Sequence, residues 1–216
     1  SLLLLPMVRY ILFDLDNTLY PSSLGLEEDM TRRIREFTAR YLGVDGEEAL
    51  RRRKERMGTF GTTLEWLMAE EGLTDVDTYY AAIHPEGEEE SLQPDPELRA
   101  FIAGLPVPAA VLTNAPMEHA VRVLKKLELE GLFPHIFDIR WNGLKGKPSE
   151  EAFRNALSVI GLEPREVLFV DDLPSYVQGF TRIGGLGVLL DETGCHTDYP
   201  GPRIRALPEL LGFLGA

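Results

Sequence analysis

An apolar run from Val8 to Phe13 ends abruptly in Asp14-Leu15-Asp16-Asn17-Thr18, two carboxylates and a hydroxyl within five residues. Crowding pushes the proton affinities of two such acids apart. One can then ionise, as nucleophile and metal ligand, while the other keeps a proton for a leaving group. A hard cation such as Mg²⁺ takes oxygen ligands of this kind, usually one or two carboxylates plus substrate phosphate. The ordinary alternative is that Asp14 and Asp16 only start a loop or cap a helix, where Asp is common.

Three further polar clusters follow apolar stretches. Thr113-Asn114 comes after Ala109-Ala110-Val111-Leu112, so its hydroxyl and amide could donate to a phosphoryl oxygen or simply cap a helix. Lys147-Pro148 follows the flexible Gly143-Leu144-Lys145-Gly146, and a lysine there could neutralise a transferred phosphoryl group or lie at the surface. Asp171-Asp172 follows Val167-Leu168-Phe169-Val170. Two adjacent acids at the end of a buried run are costly without a partner, and a metal would supply one. Each cluster has an ordinary reading when taken singly. Their chemical types complete one another, and all four fall at the same predicted sheet edge.

The elements that must position them read as an α/β chain. Val8–Phe13, Ala109–Thr113, Ile136–Ile139, Val167–Val170 and Leu186–Leu190 are expected strands, alternating with amphipathic helices, which implies a doubly wound, parallel, five-stranded Rossmann-like sheet. Ala120, Val121, Leu124 and Leu127 are expected on one helix face, and Ala152, Phe153, Ala156, Leu157 and Ile160 on the next. Between Pro21 and about Leu92 the pattern is helical only, with Met30, Ile34, Phe37 and Tyr41 at helical spacing. This predicts an inserted all-helical cap over 21–91, with the core formed by 7–20 and 92–216. Arg51-Arg52-Arg53-Lys54 reads as a solvated helix face, and Glu86 to Glu90 as an exposed return linker.

The 216 residues are 44% hydrophobic and carry a net charge of −13. A chain this acidic is a poor partner for a nucleic-acid polymer, which is bound through positive surface. One cysteine, Cys195, excludes an internal disulfide and suits a reducing compartment such as the cytoplasm. No segment is long enough to span a membrane, and the opening Ser1–Pro6 fits neither an anchor nor a signal peptide. His84, His119, His135 and His196 lack metal-ligand spacing and are expected at the surface or behind the site. Nothing in the sequence speaks to oligomeric state.

With these residues in view, the chain closely resembles the haloacid dehalogenase superfamily of phosphohydrolases. Asp14-Leu15-Asp16-Asn17-Thr18 resembles its first motif, Thr113 its second, Lys147 its third and Asp171-Asp172 its fourth. The resemblance implies that Asp14 is the nucleophile, forming an aspartyl phosphate, and that Asp16 is the general acid and base. It also implies Mg²⁺ held by Asp14, the backbone carbonyl of Asp16 and Asp172, with Asp171 supporting the metal's water shell. Dehalogenase members lack an acid two residues after the nucleophile, so Asp16 points to phosphate chemistry. Phe13–Pro21, Phe60-Gly61-Thr62-Thr63-Leu64, Pro94-Asp95-Pro96 and Thr113-Asn114-Ala115 with His119-Ala120 resemble, more narrowly, the pyrimidine 5′-nucleotidase group. Leu173 and Tyr176 depart from the polar residues that relatives often carry after the fourth motif.

The expected activity is Mg²⁺-dependent hydrolysis of a small phosphorylated metabolite, foremost a nucleoside 5′-monophosphate. Asn114 would bind the phosphoryl group. Phe60 and Thr63 would reach the leaving group from the cap, although Phe60 and Trp66 would serve equally in cap packing. A sugar-phosphate phosphatase or phosphomutase is the nearest alternative. A phosphorylatable signalling or binding module is a more distant one, since a receiver carries no large helical insertion.

Overall fold

The computed structural model describes residues 7–215, so the expectation for residues 1–6 lies outside the described residues. Strand β1 (Tyr10–Phe13) is buried on both faces. Ile11 and Phe13 enter one core cluster, and Tyr10 and Leu12 enter the cluster on the opposite side. This is why it reads as a continuous apolar run. With β2 (Ala109–Leu112), β3 (Ile136–Phe137), β4 (Val167–Asp171), β5 (Leu186–Leu190) and β6 (Arg203–Ile204) it forms a sheet of order β3-β2-β1-β4-β5-β6. Every neighbouring pair is parallel. The sheet therefore has six strands, one more than expected. The addition is a two-residue edge piece with Arg203 exposed, too short to show a hydrophobic period.

The chain leaves β1 toward β2 and β3, then crosses back to β4 on the other side, so strand order reverses at β1. The crevice beyond the carboxyl ends of strands at such a reversal is where open α/β sheets bind ligands.

Among the described residues five α-helices lie between β1 and β2, and the first four form one block: α1 (Leu26–Leu42), α2 (Gly46–Arg56), α3 (Thr63–Glu70) and α4 (Val76–Ile83). They share a hydrophobic cluster of their own, with Ile34, Phe37, Leu64, Trp66, Leu67, Tyr79 and Ile83 in it, joined from the sheet side by Ile139. Helix α3 starts with a reciprocal capping box. The Thr62 hydroxyl accepts from the Glu65 amide at 3.2 Å, and the Glu65 carboxylate accepts from the Thr62 amide at 2.7 Å. A Cβ on Gly61 would stand 2.8 Å from that Glu65 carboxylate and 3.7 Å from the Gly146 carbonyl. Gly61 thus admits the capping box and brings the helical block onto the loop that carries Lys147.

Helix α5 (Pro96–Ala103) is capped by Asp95, which accepts from the Glu97 and Leu98 amides. Helices α6 (Met117–Lys126), α7 (Glu150–Ile160) and α8 (Pro174–Arg182) cover the two faces of the sheet. The apolar stripe of α7 is buried as expected. On α6, Val121 instead faces solvent at 45% exposure, and the buried face consists of His119, Ala120, Val123 and Leu124. The linker expected to be exposed over Glu86–Glu90 is a short 3₁₀ turn (Glu88–Ser91) whose Glu88 side chain is only 4% exposed.

Candidate active site

Asp14 follows β1 directly, and Asp171 is the last residue of β4, paired alongside in the sheet. Thr113 follows β2. Asp14, Asp16, Thr113, Asn114, Lys147 and Asp172 all line one cleft between the sheet edge and the helical block. The strand ends make this convergence inevitable once the register places β1 between β2 and β4.

Lys147 is fully buried. Its ammonium donates to Asp14 Oδ1 at 2.7 Å, to Asp171 Oδ2 at 2.8 Å and to the Leu112 carbonyl at 2.9 Å. Burial alone would lower its proton affinity, but the charges of Asp14 and Asp171 outweigh this and hold it above its usual value. Asp171 spends its other oxygen on the Leu173 amide at 2.8 Å, so it fixes Lys147 and the turn rather than facing the cleft. Asn114 likewise has little left for a ligand. Its amide nitrogen donates to the Lys147 carbonyl and the Tyr176 hydroxyl, and its oxygen accepts from the Lys147 amide at 2.8 Å. Tyr176 earns its place here too, with its ring 5.3 Å from the Lys147 ammonium.

Thr18 donates its hydroxyl to Asp14 Oδ2 at 3.2 Å. The Thr113 hydroxyl accepts from the Ala115 amide, leaving its proton free to donate. Asp14, Asp171 and Asp172 bring one carboxylate oxygen each within 4.8 Å of one another. Burial first, and then the charge of Asp171 on Asp14 and of Asp14 on Asp172, raises the proton affinity of both Asp14 and Asp172 above the ordinary carboxylate value of 3.8. One lysine does not balance these acids. An all-oxygen cluster with surplus negative charge fits a hard divalent cation, which Asp14 and Asp172 would hold.

Linkage gives this crowding a sign. The folded protein binds more protons than the unfolded chain above the ordinary carboxylate range, so in metal-free protein stability falls as pH rises through the raised values. Mg²⁺ should reverse that loss. Saturation at about 100 times Kd adds about 2.7 kcal/mol, a shift in Tm readable by differential scanning fluorimetry. Asp172→Asn should remove most of the shift while raising the Tm of the metal-free protein. An undiminished Mg²⁺ shift in that variant would place the cation elsewhere.

Asp16 is held differently. Its Oδ1 accepts from the Tyr20 hydroxyl at 2.6 Å and contacts His119 Nε2 at 2.7 Å. Burial pulls the Asp16 carboxyl up, but the charge and hydrogen bond of His119 outweigh it and hold it down at about 2. Burial likewise opposes the His119 imidazolium, yet Asp16 and Glu88 raise it to about 10. One proton therefore resides on the pair, on the imidazole.

His84 and His119 are buried beside the site, with His119 directly behind Asp16, which is one of the two placements expected for the histidines. For His119 a signal existed: it stands four residues before Val123, on the apolar face of α6. Tyr20 was missed, four residues after Asp16. From the helical block, Gly61, Thr62, Thr63 and Leu64 line the cleft, while Phe60 packs on that block's own cluster and is not among the lining residues. The Thr63 hydroxyl accepts from Arg53 at 2.8 Å. Arg51 and Arg52 pair with Glu48 as a solvated face would, whereas Arg53 turns to the cleft.

The family model for haloacid dehalogenase-like hydrolases matches residues 8–184. The chain belongs to this family. It is thus a hydrolase, with the α/β fold of that family. Among curated proteins it is 26% identical over 193 residues to Phosphate metabolism protein 8 of Saccharomyces cerevisiae, a match covering 83% of this chain and 60% of that protein. Among solved structures, a HAD phosphatase from Thermococcus onnurineus superposes with TM-score 0.65 at 21% identity, covering 96% of this chain and 98% of that one. The L-2-haloacid dehalogenase of Xanthobacter autotrophicus gives 0.63 at 17%, covering 97% and 100%. YfnB of Bacillus subtilis, described as bound to magnesium, gives 0.63 at 19%, also covering 97% and 100%. At these identities the structures speak for the fold alone. Among the described residues, no helix is long and apolar enough to cross a membrane.

Proposed function

We propose that this hydrolase is a Mg²⁺-dependent phosphomonoesterase that works through an aspartyl phosphate, with nucleoside 5′-monophosphates as its leading substrate class. The observation that carries the reading is Asp16. A second carboxylate, hydrogen-bonded and lining the same cleft as Asp14, supplies the acid that a phosphate ester's poor leaving group requires and a halide does not.

In this reading Asp14 attacks phosphorus as the bond to the leaving oxygen breaks, and Asp16 passes the proton of the Asp16–His119 pair to that oxygen. Water then attacks phosphorus, returning a proton to Asp16, and the bond to Asp14 breaks to release phosphate. Lys147 and Thr113 hold the phosphoryl oxygens. Mg²⁺, bound by Asp14, the Asp16 backbone carbonyl and Asp172, would supply the charge that lets a dianionic ester approach the acids.

The cap wall supports a flat or apolar leaving group over a sugar. Met30, Ile34, Met57, Leu64 and Tyr79 give it an apolar stretch on which a flat base could lie, and Arg53 and Thr63 form a polar pair for a carbonyl or an anion. The substrate is accordingly a small phosphorylated metabolite in a reducing, cytoplasmic setting. Phosphate release from a panel of nucleoside monophosphates and sugar phosphates, with and without chelator, tests it. Nucleotides should lead and chelation should abolish turnover. Thr63→Val and Arg53→Met should lower kcat/KM for the preferred metabolite about tenfold more than for 4-nitrophenyl phosphate, because binding energy from the non-reacting part is what they remove. Equal losses on both substrates would make this wall merely structural.

A further inference from the structure

Glu88 belongs to the turn by which the chain returns from the helical block to the sheet, yet its carboxylate is buried in a set of contacts of which the mechanism above uses only His119. It meets His84 Nδ1 at 3.1 Å, Arg33 of α1 at 3.3 Å, Arg122 of α6 at 3.4 Å, and His119 Nδ1. His119 in turn reaches Asp16 through its other nitrogen at 2.7 Å. The imidazole is thus spanned between two carboxylates, Glu88 paired to two arginines and Asp16 beside Asp14.

His84, Glu88 and His119 could be grouped as metal ligands. Two guanidinium groups already neutralise Glu88, and both His119 nitrogens are committed to carboxylates, so a cation would have to displace existing partners. The cluster serves hydrogen bonding. A carboxylate on one imidazole nitrogen fixes the ring and aims the other nitrogen at its partner. With Tyr20 and His119 both on Asp16 Oδ1, and no protein donor on Oδ2 among the described residues, the carboxylate is pinned by one oxygen and presents the other. A buried network with its members satisfied in this way is rigid.

We propose that His119 is a positioning residue for Asp16, orienting its free oxygen toward the leaving group, and that Glu88 holds His119 in place. This rests on the phosphomonoesterase reading. Proton donation matters most when the leaving oxygen is basic, and its worth is on the order of 10² to 10⁴ in rate. Misplacing Asp16 therefore penalises phenyl phosphate far more than 4-nitrophenyl phosphate, whose leaving group needs little help.

The experiment compares kcat/KM on these two esters for wild type, His119→Ala, His119→Gln and Glu88→Gln, with folding checked by circular dichroism. His119→Ala should lose at least about tenfold more on phenyl phosphate than on the nitrophenyl ester. His119→Gln, which keeps a donor near the Nε2 position, should recover most of that difference, and Glu88→Gln should show the same selective loss at smaller size. Even losses on both esters, or a His119→Gln variant no more selective in its recovery than His119→Ala, would overturn the proposal. If His119→Ala does not fold, Glu88→Gln decides alone, an even loss or no loss counting against it. Wild-type protein inert toward both esters would instead overturn the phosphomonoesterase reading, and the positioning role with it.

Discussion

Asp14→Asn should reduce turnover by about 10⁴-fold or more, the scale on which loss of a covalent nucleophile acts, without loosening the fold. A carboxamide cannot attack phosphorus usefully, so no phosphoryl adduct should be detected by intact mass after mixing with an aryl phosphate. The fold is spared for an electrostatic reason. Asp14 is buried and crowded by Asp171, so the neutral amide relieves repulsion while its oxygen can still accept from Lys147. The metal-free variant should melt at or above the wild-type temperature. Asp16→Asn offers the contrast: with an activated leaving group it should still accumulate some adduct, because only proton donation has been removed. An adduct on Asp14→Asn would move the nucleophile elsewhere, and a large fall in its Tm would mean that Asp14 is held chiefly as an ion-pair partner.

What the sequence made legible follows from how local each signal is. β1 and β4 are buried on both faces, so four or five consecutive apolar residues announce them, and the acids that end them mark the sheet edge. β6 sends no such signal because an edge pair needs only one buried residue, Ile204. Glu88 was opaque for a different reason. A run of acids normally means solvent, and the groups that permit burial of this one, Arg33 and Arg122, lie 55 and 34 residues away in the chain. Asn114 was visible as a polar residue at a strand end, but only the fold reveals that its amide holds the Lys147 backbone. The motifs pointed to residues that share one cleft, while the contacts that hold those residues in place were set by the tertiary fold.

Lys147→Ala should be the most damaging single substitution for the molecule as a whole, because it strikes stability and chemistry together. Among the described residues the ammonium is the one cation that Asp14 and Asp171 share, and it is fully buried. Removing one partner of a buried pair leaves uncompensated charge and costs about 3–5 kcal/mol. The sign with pH is fixed by Asp14, whose carboxyl is already held above the ordinary range: without the lysine its protonation relieves the buried charge, so the loss should shrink as pH is lowered and grow as it is raised. On the proposed phosphomonoesterase mechanism, the variant also loses the charge set against the transferred phosphoryl oxygens, worth on the order of 10² to 10³ in kcat. Lys145 is the internal control. It stands two residues earlier on the same loop, more than half exposed, with a 3.6 Å approach to Glu151 as its only ion pair among the described residues. Such a surface pair contributes roughly 0–1 kcal/mol, so Lys145→Ala should leave Tm and kcat close to wild type. Steady-state kinetics on both variants, with urea denaturation at two pH values, would separate the effects. A Lys147→Ala protein of normal stability, or one whose deficit is independent of pH, would show that Lys147 is not the counter-charge of Asp14 and Asp171.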